Sequence, residues 1–459
     1  MSREQCLNTI AEFFDSGGFA ELLAERVQHP TESQNPDREQ ELRAYLTDSI
    51  QPYLEELGFS CRLVPNPAEA RAPFLIGQRI EDPELLTVLT YGHGDTVLAM
   101  DERWQEGLEP WKLQRFEDRW YGRGVADNKG QHAINFSALA ALIKVRGRLG
   151  FNCKVILEMG EEIGSPGLHA ICTQEKEALA ADVFIASDGP RVDPDMPTLF
   201  GGSRGVFNFD MRLDLREGEH HSGNWGGLLA NPGIILANAI ASLIDANGRI
   251  LLPELKPAAI PEGIRTALRD LHLAAEKQAD PNWGEPGLSA AEQVIGWNSL
   301  EILALECGHP EAPVHAIPAR AWARCHIRFV ADTDPDNFLP AIRKHLDAHG
   351  FSHIELTGHP LSYGTATRML PDNPWIQWAM HSVKRTTGKT PAFMPNLGGT
   401  LPNDAFSHIL GLPTIWFPHS YGGCSQHAPN EHILPSITRE SLLMMTGLFW
   451  DLAETPPKP

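Results

Sequence analysis

The sequence predicts an α/β protein: a mixed, largely parallel sheet with helices on both faces, interrupted by an inserted α+β domain. Three observations carry that prediction. Short apolar runs recur, each ending beside histidine or acid; a helix-period stretch lies between the first two; and two longer runs alternate apolar and polar residues strictly.

LLTVLTY (Leu85 to Tyr91) leads into His93 and Asp95, KVILEM (Lys154 to Met159) into Glu161 and Glu162, DVFIAS (Asp182 to Ser187) into Asp188, and PTIWF (Pro413 to Phe417) into His419 and His427. Runs this short and apolar suit buried strands. Between the first two, NKGQHAINFSALAALIKV spaces Ala133, Ile134, Leu139, Leu142 and Ile143 for a buried helix of about four turns. Strand, helix, strand implies a parallel crossover. Ligands of open α/β sheets bind beyond the carboxyl ends of the strands, where all these polar residues fall.

From Gly202 the texture changes. VFNFDMRLDL (Val206 to Leu215) sets Phe207, Phe209, Met211, Leu213 and Leu215 on one face, and WARCHIRF (Trp322 to Phe329) sets Ala323, Cys325, Ile327 and Phe329 against Arg324, His326 and Arg328. Half-exposed strands of this kind suit an antiparallel sheet with helices on one side. The expected organisation is therefore a first domain over 1–202, an inserted domain over 203–333 and a return to the first domain over 334–459. Within the insert, PELKPAAIPEG reads as a loop.

Composition narrows the function classes. A formal charge of -21, from 59 acidic against 38 basic residues with no basic cluster, argues against a nucleic-acid partner. No uninterrupted run of 18 apolar residues and no signal-like start occur, so no membrane partner and a cytoplasmic location are expected. Seven scattered cysteines without a C-x-x-C pair suit reduced thiols.

Each polar motif is ambiguous alone. His93-Gly94-Asp95 can present an imidazole to a metal while Asp95 orients the ring, yet a bare H-x-D more often forms a hydrogen-bonded turn. The glycine-rich turn from Gly122 to Gly130 delivers Asp127 to a helix start, where it serves equally well as an N-cap. Glu161 and Glu162 repel each other unless a cation or a shared proton compensates, and a solvated acidic turn is the plainer alternative. Jointly, the residues His93, Asp127, Glu161, Glu162, Asp188 and His427 supply the mixed nitrogen and oxygen ligands that zinc takes with open positions for water. Two metals bridged by one carboxylate are the economical arrangement for that many ligands. On spacing alone His419 competes with His427; Cys424 is less suited to such a site. Gly201-Gly202-Ser203-Arg204-Gly205 matches G-x-S-x-G, but an alternating strand follows it where a nucleophile elbow needs a helix.

The ordered set YGHGDT, GRGVADNKG, EMGEEIGSPG, Asp188, EHHSGNWGG, GGTLPND and QHAPNE resembles the co-catalytic zinc peptidases, the family of carnosinase, bacterial dipeptidases, glutamate carboxypeptidase, acetylornithine deacetylase and aminoacylase. The resemblance implies a zinc-peptidase-like catalytic domain and a lid or dimerisation insert in a homodimer. It also implies two zinc ions per chain, with manganese or cobalt as alternatives. His93 and Asp188 would hold one metal, Glu162 and His427 the other, and Asp127 would bridge, with a cis peptide after it; Asp95 would support His93. Glu161 would be the general base acting on a metal-bridging water, and His221 in H-S-G would stabilise the oxyanion in the partner's site. Arg328, Thr400 and His315 would contact a small peptide-like or N-acyl amino acid substrate. Asp188 points within that family towards dipeptidases; deacylases and carboxypeptidases tend to have Glu there. The chain departs from many relatives at Asn396-Leu397, His220 and His315, all of which concern substrate fit.

Overall fold

The structure, a computed structural model, describes residues 2–359 and 364–457; residue 1, residues 360–363 and the last two of the 334–459 span lie outside the described residues. Two compact units emerge: Met1–Gly202 with Met369–Pro395 and Pro402–Pro459, and Ser203–Arg368 with Asn396–Leu401.

Twelve strands organise the two units. In chain order they are β1 (Ser60–Val64), β2 (Phe74–Arg79), β3 (Thr87–His93), β4 (Asn152–Glu158), β5 (Val183–Ala186), β6 (Thr198–Phe200), β7 (Gly205–Asp214), β8 (Ser299–Cys307), β9 (Arg320–Phe329), β10 (Glu355–Gly358), β11 (Ala392–Met394) and β12 (Thr414–Trp416).

The first unit holds an eight-stranded sheet in the order β1-β2-β4-β3-β5-β12-β6-β11. Its centre is parallel: β3 pairs with β4 and β5, and β5 pairs with β12. β1, β2 and the β12–β6 junction are antiparallel. Central strands are buried on both faces, which is why they read as continuous apolar runs. Val88, Val155, Leu157, Val183, Ile185 and Ile415 join the core formed with helices Arg3–Asp15, Gly18–Val27, Lys129–Arg146, Pro374–Thr387 and Pro435–Glu454. Their neighbours along each strand point the other way. There Tyr91, Phe184 and Trp416 cluster with Phe406, the Phe184 and Phe406 rings stacking at 4.2 Å. In the Lys129–Arg146 helix, Ala133, Ile134, Leu139 and Leu142 are buried and Ile143 packs against the same core.

The second unit is built on an antiparallel sheet in the order β8-β9-β7-β10. Phe209, Met211, Leu213, Ala321, Ala323, Cys325, Ile327 and Phe329 form its covered face, packed with helices Pro232–Leu243 and Phe338–Ala348. Asn208, Asp210, Arg324 and His326 alternate onto the other face, where Arg324 pairs with Asp210. Residues 334–368 stay in this unit instead of returning at 334, because Phe338, Ile342 and Leu346 enter its core and β10 pairs with β7. Asn396–Leu401 joins it too, since the Arg204 amide donates to the Leu397 and Gly399 carbonyls. Among the described residues, no helix is long and apolar enough to cross a membrane.

Phe184 is fully buried between Phe406 and Trp416. Phe184→Ala is predicted to lower the unfolding free energy of the first unit by about 3–5 kcal/mol, read from urea titration of tryptophan fluorescence.

Candidate metal centre

At the carboxyl ends of β3, β4 and β5 the backbone turns away from the sheet and leaves polar side chains facing a common space. His93 is the last residue of β3 and lies opposite Glu158, the last residue of β4. Gly92 and Gly94 flank it because the backbone is pressed against neighbours: a Cβ would come within 2.7 Å of His132 at the first and 2.4 Å of Tyr45 at the second. Beyond β4, Glu161 and Glu162 sit in a single 3-10 turn. Asp188 follows β5 by two residues, Asp127 precedes the Lys129–Arg146 helix, and His427 lies in the loop between β12 and the last helix.

Among the described residues, two groups of side chains bring ligand-type atoms within 4.8 Å of one another: His93, Asp127 and Asp188, and Asp127, Glu162 and His427. Asp127 belongs to both, and its oxygens divide between them. Oδ1 lies 3.0 Å from His93 Nε2, and Oδ2 lies 3.1 Å from His427 Nε2. His427 Nε2 is also 3.0 Å from Glu162 Oε2, and His93 Nε2 is 3.6 Å from Asp188 Oδ2. Glu161 approaches from the side, its Oε2 3.9 Å from His93 Nε2. Asp127 does not cap the helix: Asn128 occupies that position, and the Asp127-Asn128 peptide is cis.

All but His427 are buried, so their charges act on one another with little screening. Burial, with the Glu162, Asp188 and Asp127 charges, pushes the Glu161 carboxyl well above the usual range against the pull of His93. Burial and the Asp127 charge raise Glu162 to about 7, and raise Asp188 as well. Against burial, the bond from His427 and the nearby His93 imidazole hold the Asp127 carboxyl below its ordinary value. Bonds to Asp127 and Glu162 lift His427 to about 11. With all four buried carboxyl groups ionised, their charge would exceed that of the two imidazoles, and a divalent cation would offset the difference.

The residues fit divalent cations on a second count. His93 Nε2 and Asp188 Oδ2 are buried and make no hydrogen bond, although each has polar atoms nearby. Buried polar atoms seldom go unsatisfied, and atoms that converge without hydrogen-bond alignment are what ligands around a shared ion look like. His93 Nδ1 donates to the Asp95 carbonyl oxygen at 3.1 Å, which keeps Nε2 free as a donor to metal. The Asp95 carboxylate, expected to orient the ring, lies 3.4 Å from Nδ1 and does more elsewhere: its two oxygens accept the Glu161 and Glu162 amides, each at 3.1 Å.

Sequence reasoning missed the support beneath these side chains. Tyr45 donates to His132 Nε2 at 2.7 Å, His132 Nδ1 donates to Asn128 Oδ1 at 3.0 Å, and Asn128 donates to the Ser187 carbonyl at 2.8 Å. Burial keeps His132 neutral, well below its ordinary pKa. Asn128 and Ser187 are the chain neighbours of Asp127 and Asp188. The readable signal was Asn128 and His132 four apart on one helix face.

Competing readings find other partners. His419 is buried against Ser187 Oγ at 2.8 Å and belongs to neither group; Cys424 also stands outside them, its thiol raised to about 11 by burial. Ser203 is buried, donates to the Leu401 carbonyl at 3.1 Å and precedes a strand, so it forms no nucleophile elbow.

The remaining sequence-derived residues lie in the second unit. His221 is exposed and pairs in a short ladder with Ala316, beside His315, whose carbonyl accepts the Ser222 amide at 2.8 Å. Arg328 donates to Thr400 Oγ1, which in turn donates to the Arg204 carbonyl at 2.8 Å. Arg204, not singled out in the sequence, lies close by; burial and the Arg328 charge lower its guanidinium to about 9.

Comparison with known proteins gives this geometry a context. The family model described as Peptidase family M20/M25/M40 matches residues 89–451. The Beta-Ala-His dipeptidase of Mus musculus is 28% identical over 378 residues, 79% of this chain and 76% of that protein. The cysteinylglycine-S-conjugate dipeptidase of Corynebacterium striatum is 29% identical over 402 residues, 83% of each. Among solved structures, the di-peptidase Dug1p from Saccharomyces cerevisiae superimposes with a TM-score of 0.78 at 25% identity, covering 99% of this chain and 100% of that one.

Removing the Asp95 carboxylate frees the Glu161 and Glu162 amides and loosens their turn. Asp95→Ala is predicted to weaken divalent-metal binding by about 10- to 100-fold, measured by competition with a chromophoric chelator; unchanged affinity would mean that the turn is held without it.

Proposed function

The chain belongs to peptidase family M20/M25/M40 and is a metal-dependent hydrolase, and from that premise we propose that it is a dipeptidase with two zinc ions per chain. The observation that carries the two-metal reading is the division of the Asp127 carboxylate, one oxygen towards His93 and the other towards His427. His93 and Asp188 would hold one cation, Glu162 and His427 the other, with Asp127 shared. Zinc bound there supplies Lewis acidity towards the scissile carbonyl and lowers the pKa of water from about 15.7 to about 7.

The chain's own residues do the rest. Glu161 is buried and stands beside both groups without belonging to either. Burial and neighbouring carboxylates make its carboxylate a stronger base than an ordinary glutamate, which suits a group that, once ionised, takes a proton from the attacking water and returns it to the leaving amine. Arg328, with Thr400 set against it, is the proposed partner of the substrate carboxylate; His221 and His315 are proposed to contact substrate from a second copy of the chain, in a homodimer. The relatives named above as dipeptidases, and Asp188 where deacylases tend to have Glu, support a dipeptide substrate over an N-acyl amino acid. Seven free cysteines suit the cytoplasm as its compartment.

Glu161→Gln is predicted to keep metal content at the wild-type level while kcat falls by about 10²- to 10⁴-fold, with metal measured by mass spectrometry on the assayed protein. Parental turnover in that variant would remove Glu161 from the mechanism. Dipeptides with free N-termini are expected to be cleaved in a chelator-sensitive manner, and their N-acylated counterparts spared, in an amine-release assay. Cleavage of the acylated set alone would move the protein to the deacylase or carboxypeptidase reading.

A further inference from the structure

Glu431 lies four residues beyond His427, and its side chain is 1% exposed. Every lone-pair direction of its carboxylate is engaged. Oε1 accepts the amides of Ala126 at 2.8 Å and Asp127 at 3.1 Å; Oε2 accepts the Gly124 amide at 2.9 Å and the Arg123 guanidinium at 2.9 Å. The Glu431 carbonyl accepts the Gly122 amide at 3.1 Å. One residue thus holds four of the six amides from Gly122 to Asp127, and even its nearest partner in sequence, Asp127, is 304 residues away. The other two, of Arg123 and Val125, donate to the Pro110 and Gly122 carbonyls.

A buried Arg123–Glu431 pair is by itself weak evidence of a stabilising role, because desolvation offsets much of the attraction. What sets this pair apart is where the carboxylate points. It ends on the backbone of Asp127, whose side chain is shared between the two ligand groups, and it springs from the loop that presents His427. Local sequence does nothing to keep these two segments in register. His427 has a left-handed backbone, with φ of 56°, and more than half of its side chain is exposed, so its own packing restrains it little.

We propose that Glu431 is a positioning residue for the metal centre: it locks the Asp127 turn to the His427 loop and so sets the affinity of both cation positions. The inference rests on the two-cation reading above. Because Asp127 is shared, displacement of its turn weakens both positions together, whereas loss of His427 alone would weaken one.

The test compares wild type with Glu431→Asp, Glu431→Gln and Asp451→Asn. Each protein is stripped of metal, checked by circular dichroism and thermal melting, and titrated with zinc against a chromophoric chelator. Glu431→Asp keeps a charge opposite Arg123, yet its shorter arm cannot reach Arg123, Gly124, Ala126 and Asp127 at once. It is expected to fold and to bind both zinc ions about 10- to 100-fold more weakly. Glu431→Gln is expected to bind at least as weakly; should it fail to fold, the aspartate variant decides. Asp451 ties Arg3 and Ser382 together within the same unit and touches no ligand. Its asparagine variant is expected to melt early and bind zinc like wild type. Wild-type affinity in folded Glu431→Asp overturns the proposal, as does an equal loss in Asp451→Asn, which would assign the effect to general loosening. Wild type that takes up no zinc sinks the two-cation reading with it; wild type that takes up two, with Glu431→Asp unchanged, sinks this inference alone.

Discussion

Crowded, buried negative charge at one end of the parallel strands is the constraint to which the rest of the first unit responds. Asp127, Glu161, Glu162 and Asp188 are all at most 9% exposed. Two unit charges about 4 Å apart repel by about 4 kcal/mol at an effective dielectric of 20. Several such pairs would consume most of the 5–15 kcal/mol by which a domain is ordinarily stable. Protonation and the two imidazoles relieve part of this load, and divalent cations relieve more, which makes metal uptake and stability one problem for this fold.

The surrounding structure reads as the means of holding that charge in place. Parallel strands buried on both faces give a rigid platform, and short turns carry Glu161, Glu162 and Asp188 only a few residues beyond it. Amides are aimed at carboxylates where a turn must be held: Asp95 takes those of Glu161 and Glu162, and Glu431 takes those of Gly124, Ala126 and Asp127. Such bonds to charged groups are stronger than neutral ones. Neutral His132, buried between Tyr45 and Asn128, extends this support without adding charge. The second unit follows a different logic, with one apolar face under helices and a polar face bearing Arg324, Asp210 and His326.

Much of this was legible from residues alone. Apolar runs identified the central strands because burial on both faces leaves no room for polar residues, and alternation identified β7 and β9 because one face meets water. Placing His93 at a strand end, and Glu161, Glu162 and Asp188 beyond theirs, needed only the direction of the chain. Those are local properties, set by side-chain period and by what each segment must bury. Pairing is another matter. That β4 lies between β2 and β3, that β10 keeps 334–368 with the second unit, and that the two Asp127 oxygens face different histidines are decided by contacts across tens to hundreds of residues. Burial pattern says which face is covered but not by what, so the choice between His419 and His427, and the supporting roles of Asn128 and His132, required the assembled sheet. The sequence by itself determined the elements and the chemistry at their ends; only the tertiary structure decided which ends meet, because hydrogen bonds and charges act through distances that chain order does not encode.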